Sequence, residues 1–119
     1  MKAINKLKKH LPQFTWTQEN STSNIFGVIN APLVEKRINN DLYKLDNVYV
    51  FISSKMGGTI DNPSFRYAMC YQKGKVRPYR HKNIHEVEFN KLFVSAKDLD
   101  SIVNELIKKV DLNRYFLPK

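Results

Sequence analysis

Residues 64–83, SFRYAMCYQKGKVRPYRHKN, hold the clearest strand-and-turn pattern of the chain. One set of alternating positions carries aromatic or long apolar side chains: Phe65, Tyr67, Met69 and Tyr71. The positions between them carry Arg66, Ala68 and Cys70. This period of two predicts a β-strand over residues 64–72. Gly74, between two lysines, predicts a hairpin turn at positive φ. Residues 76–81 then form the return strand, in which Pro78 favours an edge position.

The sequence on either side of this hairpin predicts further strands. Alternation, or a β-branched and aromatic composition, indicates strands in four segments: residues 14–18, 24–30, 47–53 and 84–93. The lone Trp16 is favoured as a core residue over an exposed one. Residues 33–45 leave two alternatives open, because their apolar spacing fits a helix whereas Asn39-Asn40 favours a turn.

A helix is predicted at each end of the chain. Apolar residues spaced by three and four predict a helix over residues 2–11, which Pro12 ends. Near the other end, Ser95 as N-cap with Asp98 at the third helical position predicts a capping box. The helix that follows has one apolar stripe: Leu99, Ile102, Val103, Leu106, Ile107 and Val110. We expect this stripe to pack on the sheet.

The length and composition set the fold class. The chain has 119 residues, 42% of them hydrophobic, which is enough for one domain over residues 1–119 with its own core. About five strands with a packing helix predict a mainly β fold with flanking helices, arranged as an OB-like small barrel. The alternative is an α+β fold in which an open antiparallel sheet has helices on one face.

The charge of the chain is strongly one-sided. The net charge is +9, and the segment 62–85 contains no Asp or Glu. Its cations are Arg66, Lys73, Lys75, Arg77, Arg80 and Lys82. Its aromatic residues are Phe65, Tyr67, Tyr71 and Tyr79. Because cations displace counterions from phosphates and exposed rings stack on bases, this combination favours single-stranded nucleic acid as the ligand.

The predicted binding site lies in this hairpin and on its sheet face. Five residues are expected to contact phosphates: Arg66, Lys73, Lys75, Arg77 and Arg80. Three are candidates for stacking on bases: Tyr67, Tyr71 and Tyr79. One face of the strand must also supply core, so we expect Phe65 and Met69 to be buried. DNA and RNA are both compatible with this pattern, because telling them apart depends on contacts to the 2′-hydroxyl.

Patterns for catalysis or metal binding are weak. His81 and His85 lack further ligands nearby in the sequence, and Glu86 with Glu88 matches no nuclease spacing. A small ribonuclease toxin would use four residues of types suited to phosphate binding and proton transfer: Arg77, Arg80, His81 and Tyr115. We therefore expect a protein that is not an enzyme, with no catalytic residue, metal or cofactor. The ribonuclease toxin stays an alternative, as does an inhibitor that binds a host enzyme.

The chain resembles the small single-stranded-DNA-binding proteins of bacteriophages. The resemblance rests on the basic and aromatic hairpin, residues 65–80, and on the strand-rich middle, residues 14–93. It implies a protein that coats and protects single strands in phage-type replication or recombination, as a homo-oligomer and with replication or recombination proteins as further partners. The basic, aromatic end at residues 113–119 departs from the acidic tail of cellular relatives, which puts tail-mediated recruitment in doubt.

The expected location follows from three features of the sequence. Cys70 is the only cysteine, so no internal disulfide can form, which fits a reducing compartment. No apolar run approaches the roughly 20 residues that span a bilayer. The cations also do not gather on the polar face of one long amphipathic helix, so a membrane surface is not the expected partner. We expect a protein of the bacterial host cytoplasm.

Overall fold

The chain forms an antiparallel sheet with its helices on one face. The computed structural model describes residues 2–18, 24–53, 66–77 and 85–116. The strands are β1 (Thr15–Gln18), β2 (Ile25–Ile38), β3 (Asp41–Ser53), β4 (Arg66–Arg77) and β5 (His85–Ala96). The helices are α1 (Ala3–His10) and α2 (Leu99–Lys109), followed by a short 3₁₀ helix (Leu112–Arg114). No helix in these ranges is long and apolar enough to cross a bilayer.

The sheet is an open meander. Its strand order is β1-β2-β3-β4-β5, and each strand pairs antiparallel with the next one in the sequence. Within the described ranges β1 and β5 lie at opposite edges and are not hydrogen-bonded to each other. A barrel requires the first and last strands to pair. The mainly β class is therefore confirmed, whereas the OB-like barrel is wrong and the alternative of an open sheet with helices on one face fits.

Residues 33–45, which fitted a helix or a turn, form the ends of two long paired strands. Asn39 and Asn40 have φ values of 49° and 70° and connect β2 to β3. Positive φ at both central residues is the geometry of the tight hairpin turn, and asparagine tolerates it better than most residues. The turn interpretation is confirmed, and the helix alternative is wrong.

The core lies between the helices and one face of the sheet. From β3 and α2 it takes fully buried residues: Val48, Val50, Ile52, Ile102, Val103 and Leu106. Leu7 of α1 and Cys70 of β4 are also fully buried in it. Burying a side chain of this size contributes roughly 1.5–3 kcal/mol, so the predicted apolar stripe of α2 is the main attachment of the helical layer. Trp16 is buried as well, and its indole N–H donates to the Leu11 carbonyl at 2.9 Å.

Two local predictions near the core are wrong. The face of β4 that points into the core is the one that carries Ala68 and Cys70, so Met69 lies on the opposite face and is only half-buried. Phe65, the other predicted core residue, lies outside the described residues. The helix cap is also displaced: β5 continues to Ala96, and Asp98 is the N-cap, accepting from the Ser101 amide at 2.8 Å.

Gly74 lies inside β4 instead of at a turn. Its φ is not positive, and it pairs with Leu45 on one side and Val87 on the other. A Cβ at this position would overlap with Leu45 Cδ2 and come within 3.0 Å of Phe89 Cε2. Glycine is therefore needed because the fully buried Leu45 side chain covers its backbone. The β4–β5 connection falls in residues 78–84, outside the described ranges.

We expect Gly74→Ala to lower the free energy of unfolding by about 1–3 kcal/mol, because the added methyl group overpacks the Leu45 contact. Urea denaturation of four proteins measures this: wild type, Gly74→Ala, Leu45→Ala and the double variant. Since Leu45→Ala removes Cδ2, the alanine at position 74 should cost less in that background. An equal cost in both backgrounds would contradict the steric explanation.

The segment after α2, residues 111–116, covers the part of the core around Gln72. Gln72 is fully buried, and its side chain accepts from the Phe116 amide at 2.9 Å. The Phe116 ring contacts Phe89, and the Lys36 ammonium lies 3.9 Å from its centroid. Tyr115, also buried, is hydrogen-bonded to Cys70. This segment therefore pairs a buried polar side chain that would otherwise be unsatisfied.

Burial, only partly offset by the Tyr115 hydrogen bond, raises the pKa of the Cys70 thiol from 9.0 to about 11. The unfolded chain then loses this proton at a lower pH than the folded one, so folding stability falls as the pH rises from 9 to 11. Between pH 8 and pH 10 this thiol should cost about 1 kcal/mol of the free energy of unfolding.

Denaturation of wild type and Cys70→Ala at both pH values isolates this contribution. The variant should show a smaller loss of stability between pH 8 and pH 10. The loss of stability that remains in the variant includes the contribution of Tyr115, because burial also raises the pKa of this residue. Identical pH dependence of the two proteins would show that the thiol is not shielded from solvent.

Candidate functional site

The sheet face opposite the helices carries six aromatic rings. They come from four strands: Phe26, Tyr49, Phe51, Tyr67, Tyr71 and Phe93. We call this surface the aromatic face. The helices leave it uncovered, and the two largest exposed fractions are 53% for Phe93 and 37% for Phe26. A contiguous aromatic patch of this kind on a sheet is typical of a binding surface.

The rings are arranged in two rows that cross the strands. In one row Phe26 lies 5.7 Å from Tyr49, and Tyr49 stacks on Tyr71 at 5.6 Å between centroids. In the other row the ring of Tyr67 lies 6.2 Å from that of Phe51 and stacks on that of Phe93 at 5.6 Å.

Each row ends in one ring on the side of β2 and β3, Phe26 or Phe51, and in one on the side of β4 and β5, Tyr71 or Phe93. Tyr71 contacts Tyr49 on one side, so its other face lies on the side of β5. Phe93 is on the edge strand β5, so its second face is turned away from the row. Tyr71 and Phe93 are thus better placed to stack on a ligand than the inner rings are.

Lysines of β4 lie opposite glutamates of β5 at one border of the aromatic face, beyond Tyr71 along β4. The Lys73 ammonium lies 5.4 Å from the centroid of the Tyr49 ring, a cation–π contact. Strand pairing places Lys73 opposite Glu88 and Lys75 opposite Glu86. The Lys91 ammonium is 2.5 Å from a Glu88 carboxylate oxygen. A shallow groove of about 410 Å³ lies among four of these charged residues and Val87.

The structure brings part of the predicted binding site together. Tyr67, Tyr71, Lys73 and Lys75 share the face opposite the core, as their alternation along β4 requires. Arg77 ends β4, where its backbone pairs with Leu42. Tyr79 and Arg80 lie outside the described residues.

Arg66 is separated from this group because it belongs to the other face of β4, with Ala68 and Cys70. One guanidinium nitrogen of Arg66 is buried and has no hydrogen-bond partner among the described residues. The group lies near the first turn of α2, where hydrogen bonds from Ser101, helped by the positive charge of Arg66, lower the pKa of Asp98.

The sequence interpretation missed the residues that other strands contribute. Tyr49 and Phe51 alternate with Val48, Val50 and Ile52, and this alternation alone could have placed both rings opposite the core. Phe26 and Phe93 also lie in alternating segments, but the alternation there covers fewer residues. The sequence of residues 62–85 does not predict that Glu86, Glu88 and Lys91 are neighbours of Lys73, because this proximity depends on the register between β4 and β5.

Only part of the ribonuclease alternative falls on described residues, because Arg80 and His81 lie outside them. Tyr115 is 6% exposed and lies in the core, so it cannot act as the proton-transfer residue of a ribonuclease site. Glu88 is paired with Lys91. In the described ranges, no three His, Cys, Asp or Glu residues lie close enough together to hold a metal ion.

Compared with protein-family models, with curated proteins and with solved structures, the chain matches none at a significant level. The aromatic face and its border of charged residues are therefore the features of the molecule that indicate a function.

Proposed function

We propose that the protein binds single-stranded DNA across the aromatic face. The observation that carries the proposal is the pair of ring rows that end at Tyr71 and Phe93, with lysines at the border and with no described segment lying over them. Every base has a π-face, so stacking on these rings tolerates any sequence. Tyr67 belongs to the inner part of the same surface. The predicted role is to coat and protect single strands during phage-type replication or recombination.

Charge supports this ligand at two distances. The net charge of +9 attracts a polyanion at long range. At short range Lys73 and Lys75 lie on the same face as the rings, where they can contact the phosphates of a strand that stacks on Tyr71. Glu86 and Glu88 weaken the local positive potential, so we expect a smaller salt dependence than the number of lysines suggests.

A single strand fits this surface better than a duplex does. Stacking requires bases whose faces are accessible, and in a duplex those faces are covered by neighbouring base pairs. The described part of the sheet presents a broad face of rings and no helix that would enter a major groove. RNA offers the same bases, so the choice between DNA and RNA is an outcome of the binding experiment.

A protein partner is the second candidate function. The mixed charges beside the rings favour it, since lysine paired with glutamate is a weaker phosphate site than lysine alone. Met69, which lies between Tyr67 and Tyr71 along β4, adds apolar surface between the two rows. Such a surface suits an inhibitor that covers an apolar patch of a host enzyme.

We expect Phe93→Ala and Tyr71→Ala each to weaken single-strand binding roughly 5- to 150-fold, the loss of one stacked base at about 1–3 kcal/mol. Fluorescence titration of a labelled oligo-dT of about 30 nucleotides, at several salt concentrations, measures this. Phe93→Tyr is the matched control and should bind like wild type, because it keeps the ring. A matched duplex should bind more weakly.

Two outcomes would contradict the proposal. One is a folded Tyr71→Ala/Phe93→Ala variant that binds oligo-dT as wild type does. The other is the absence of oligo-dT and oligo-U binding even at low salt, which would favour the protein-binding function of the aromatic face.

A further inference from the structure

The ion pair between Glu88 and Lys91 lies next to Tyr71 on the aromatic face. Tyr71 lies where β5 has its bulge, between the Cys70–Leu92 and Gln72–Phe89 pairs. Burial raises the pKa of Tyr71, and the charges of Lys73, Glu88 and Lys91 also act on it. A base stacked on the β5 side of Tyr71 would therefore meet a carboxylate and an ammonium group 2.5 Å apart.

A carboxylate at this place is unsuited to phosphate but suited to a base. Its two negatively charged oxygens only accept hydrogen bonds, so they repel the phosphate backbone of a nucleic acid and attract the N–H groups of a base. The Lys91 ammonium only donates. Side by side, the two groups form a polar edge that accepts at one end and donates at the other. Unstacked bases in single strands are read along such edges.

We propose that the Glu88–Lys91 pair gives this site a preference for guanine at the position stacked on Tyr71. Glu88 accepts from the N1–H and N2–H groups of the base, and Lys91 donates to O6. The inference rests on the proposed single-strand binding and adds a base preference to it at one position. The remainder of the aromatic face stays tolerant of sequence.

Guanine matches this edge better than the other bases do. Its Watson–Crick edge presents two neighbouring donors followed by an acceptor, so both carboxylate oxygens are used. Adenine and cytosine each present a single amino group beside ring acceptors that face the carboxylate unfavourably. Thymine presents one N–H between two carbonyl oxygens, one of which would lie against Glu88. The same comparison holds for RNA, because uracil has the edge of thymine.

The structure also offers a control for the ion pair. Glu105 and Lys109 form an exposed pair on α2, with 3.3 Å between nitrogen and oxygen. This pair lies in the helix layer, away from the aromatic face. Glu88→Gln and Glu105→Gln therefore remove the same charge from the same kind of exposed pair, and only the first change is next to Tyr71.

The test is a fluorescence titration with three labelled oligonucleotides of about eight nucleotides: oligo-dT, the same strand with one central guanine, and the same strand with inosine there. Inosine lacks only the 2-amino group. We expect the guanine strand to bind wild type at least about fivefold more tightly than the other two, the lower end for a bidentate contact to a base. Glu88→Gln should lose this preference while binding oligo-dT at least as tightly, and Glu105→Gln should keep it.

Equal binding of the three strands by wild type would overturn the inference and leave single-strand binding intact. A guanine preference that persists in Glu88→Gln would overturn the assignment to this pair. No binding of any strand would instead remove the proposed function, and the inference with it. Because the inosine comparison uses wild-type protein, it does not depend on how well a variant folds.

Discussion

The packing of the two helices against one face of the sheet is the constraint on which the rest of the structure depends. Ile102, Val103 and Leu106 of α2 and Leu7 of α1 cover the buried positions of β3 and β4. Since side chains alternate between the faces of a strand, every residue next to a buried one must lie on the other face. Nothing in the described chain covers that second face, so its rings remain available to a ligand.

The half of the sheet that contains Gln72 and Gly74 is stabilised by different contacts. There the chain after α2, instead of the helices, packs on the sheet, and the buried side-chain amide of Gln72 is hydrogen-bonded to the backbone of Phe116. Leu45 packs over Gly74 where a larger residue would not fit. Register shifts in β2 after Asn30, in β3 after Leu45 and in β5 between Phe89 and Leu92 separate the two halves. The shift in β5 lies opposite Tyr71 and positions Lys91 and Glu88 beside it, so the geometry of the fold and the composition of the candidate site have a common origin.

The mixture of charges distinguishes this surface from a purely electrostatic one. A face made only of rings and lysines would hold a strand by its phosphates and by stacking, with no means of choosing among bases. Glutamates on β5 reduce that attraction and place hydrogen-bond acceptors next to Tyr71. The proposed single-strand binding and the proposed base preference both depend on this mixture of rings, lysines and glutamates.

The sequence by itself determined the mainly β class, both helices and the alternation that places Tyr67 and Tyr71 on one face, and it left Asn39-Asn40 open between a helix and a turn. These features depend on local preferences and on a period of two or 3.6, which a single segment displays. Only the tertiary structure decided that the sheet stays open, that Gly74 lies within a strand and that Arg66 faces the helix layer. It alone placed Tyr49 and Glu88 beside Tyr71, and Phe93 beside Tyr67. Those outcomes depend on which face the helices cover and on the register between strands far apart in the chain, and no single segment contains that information.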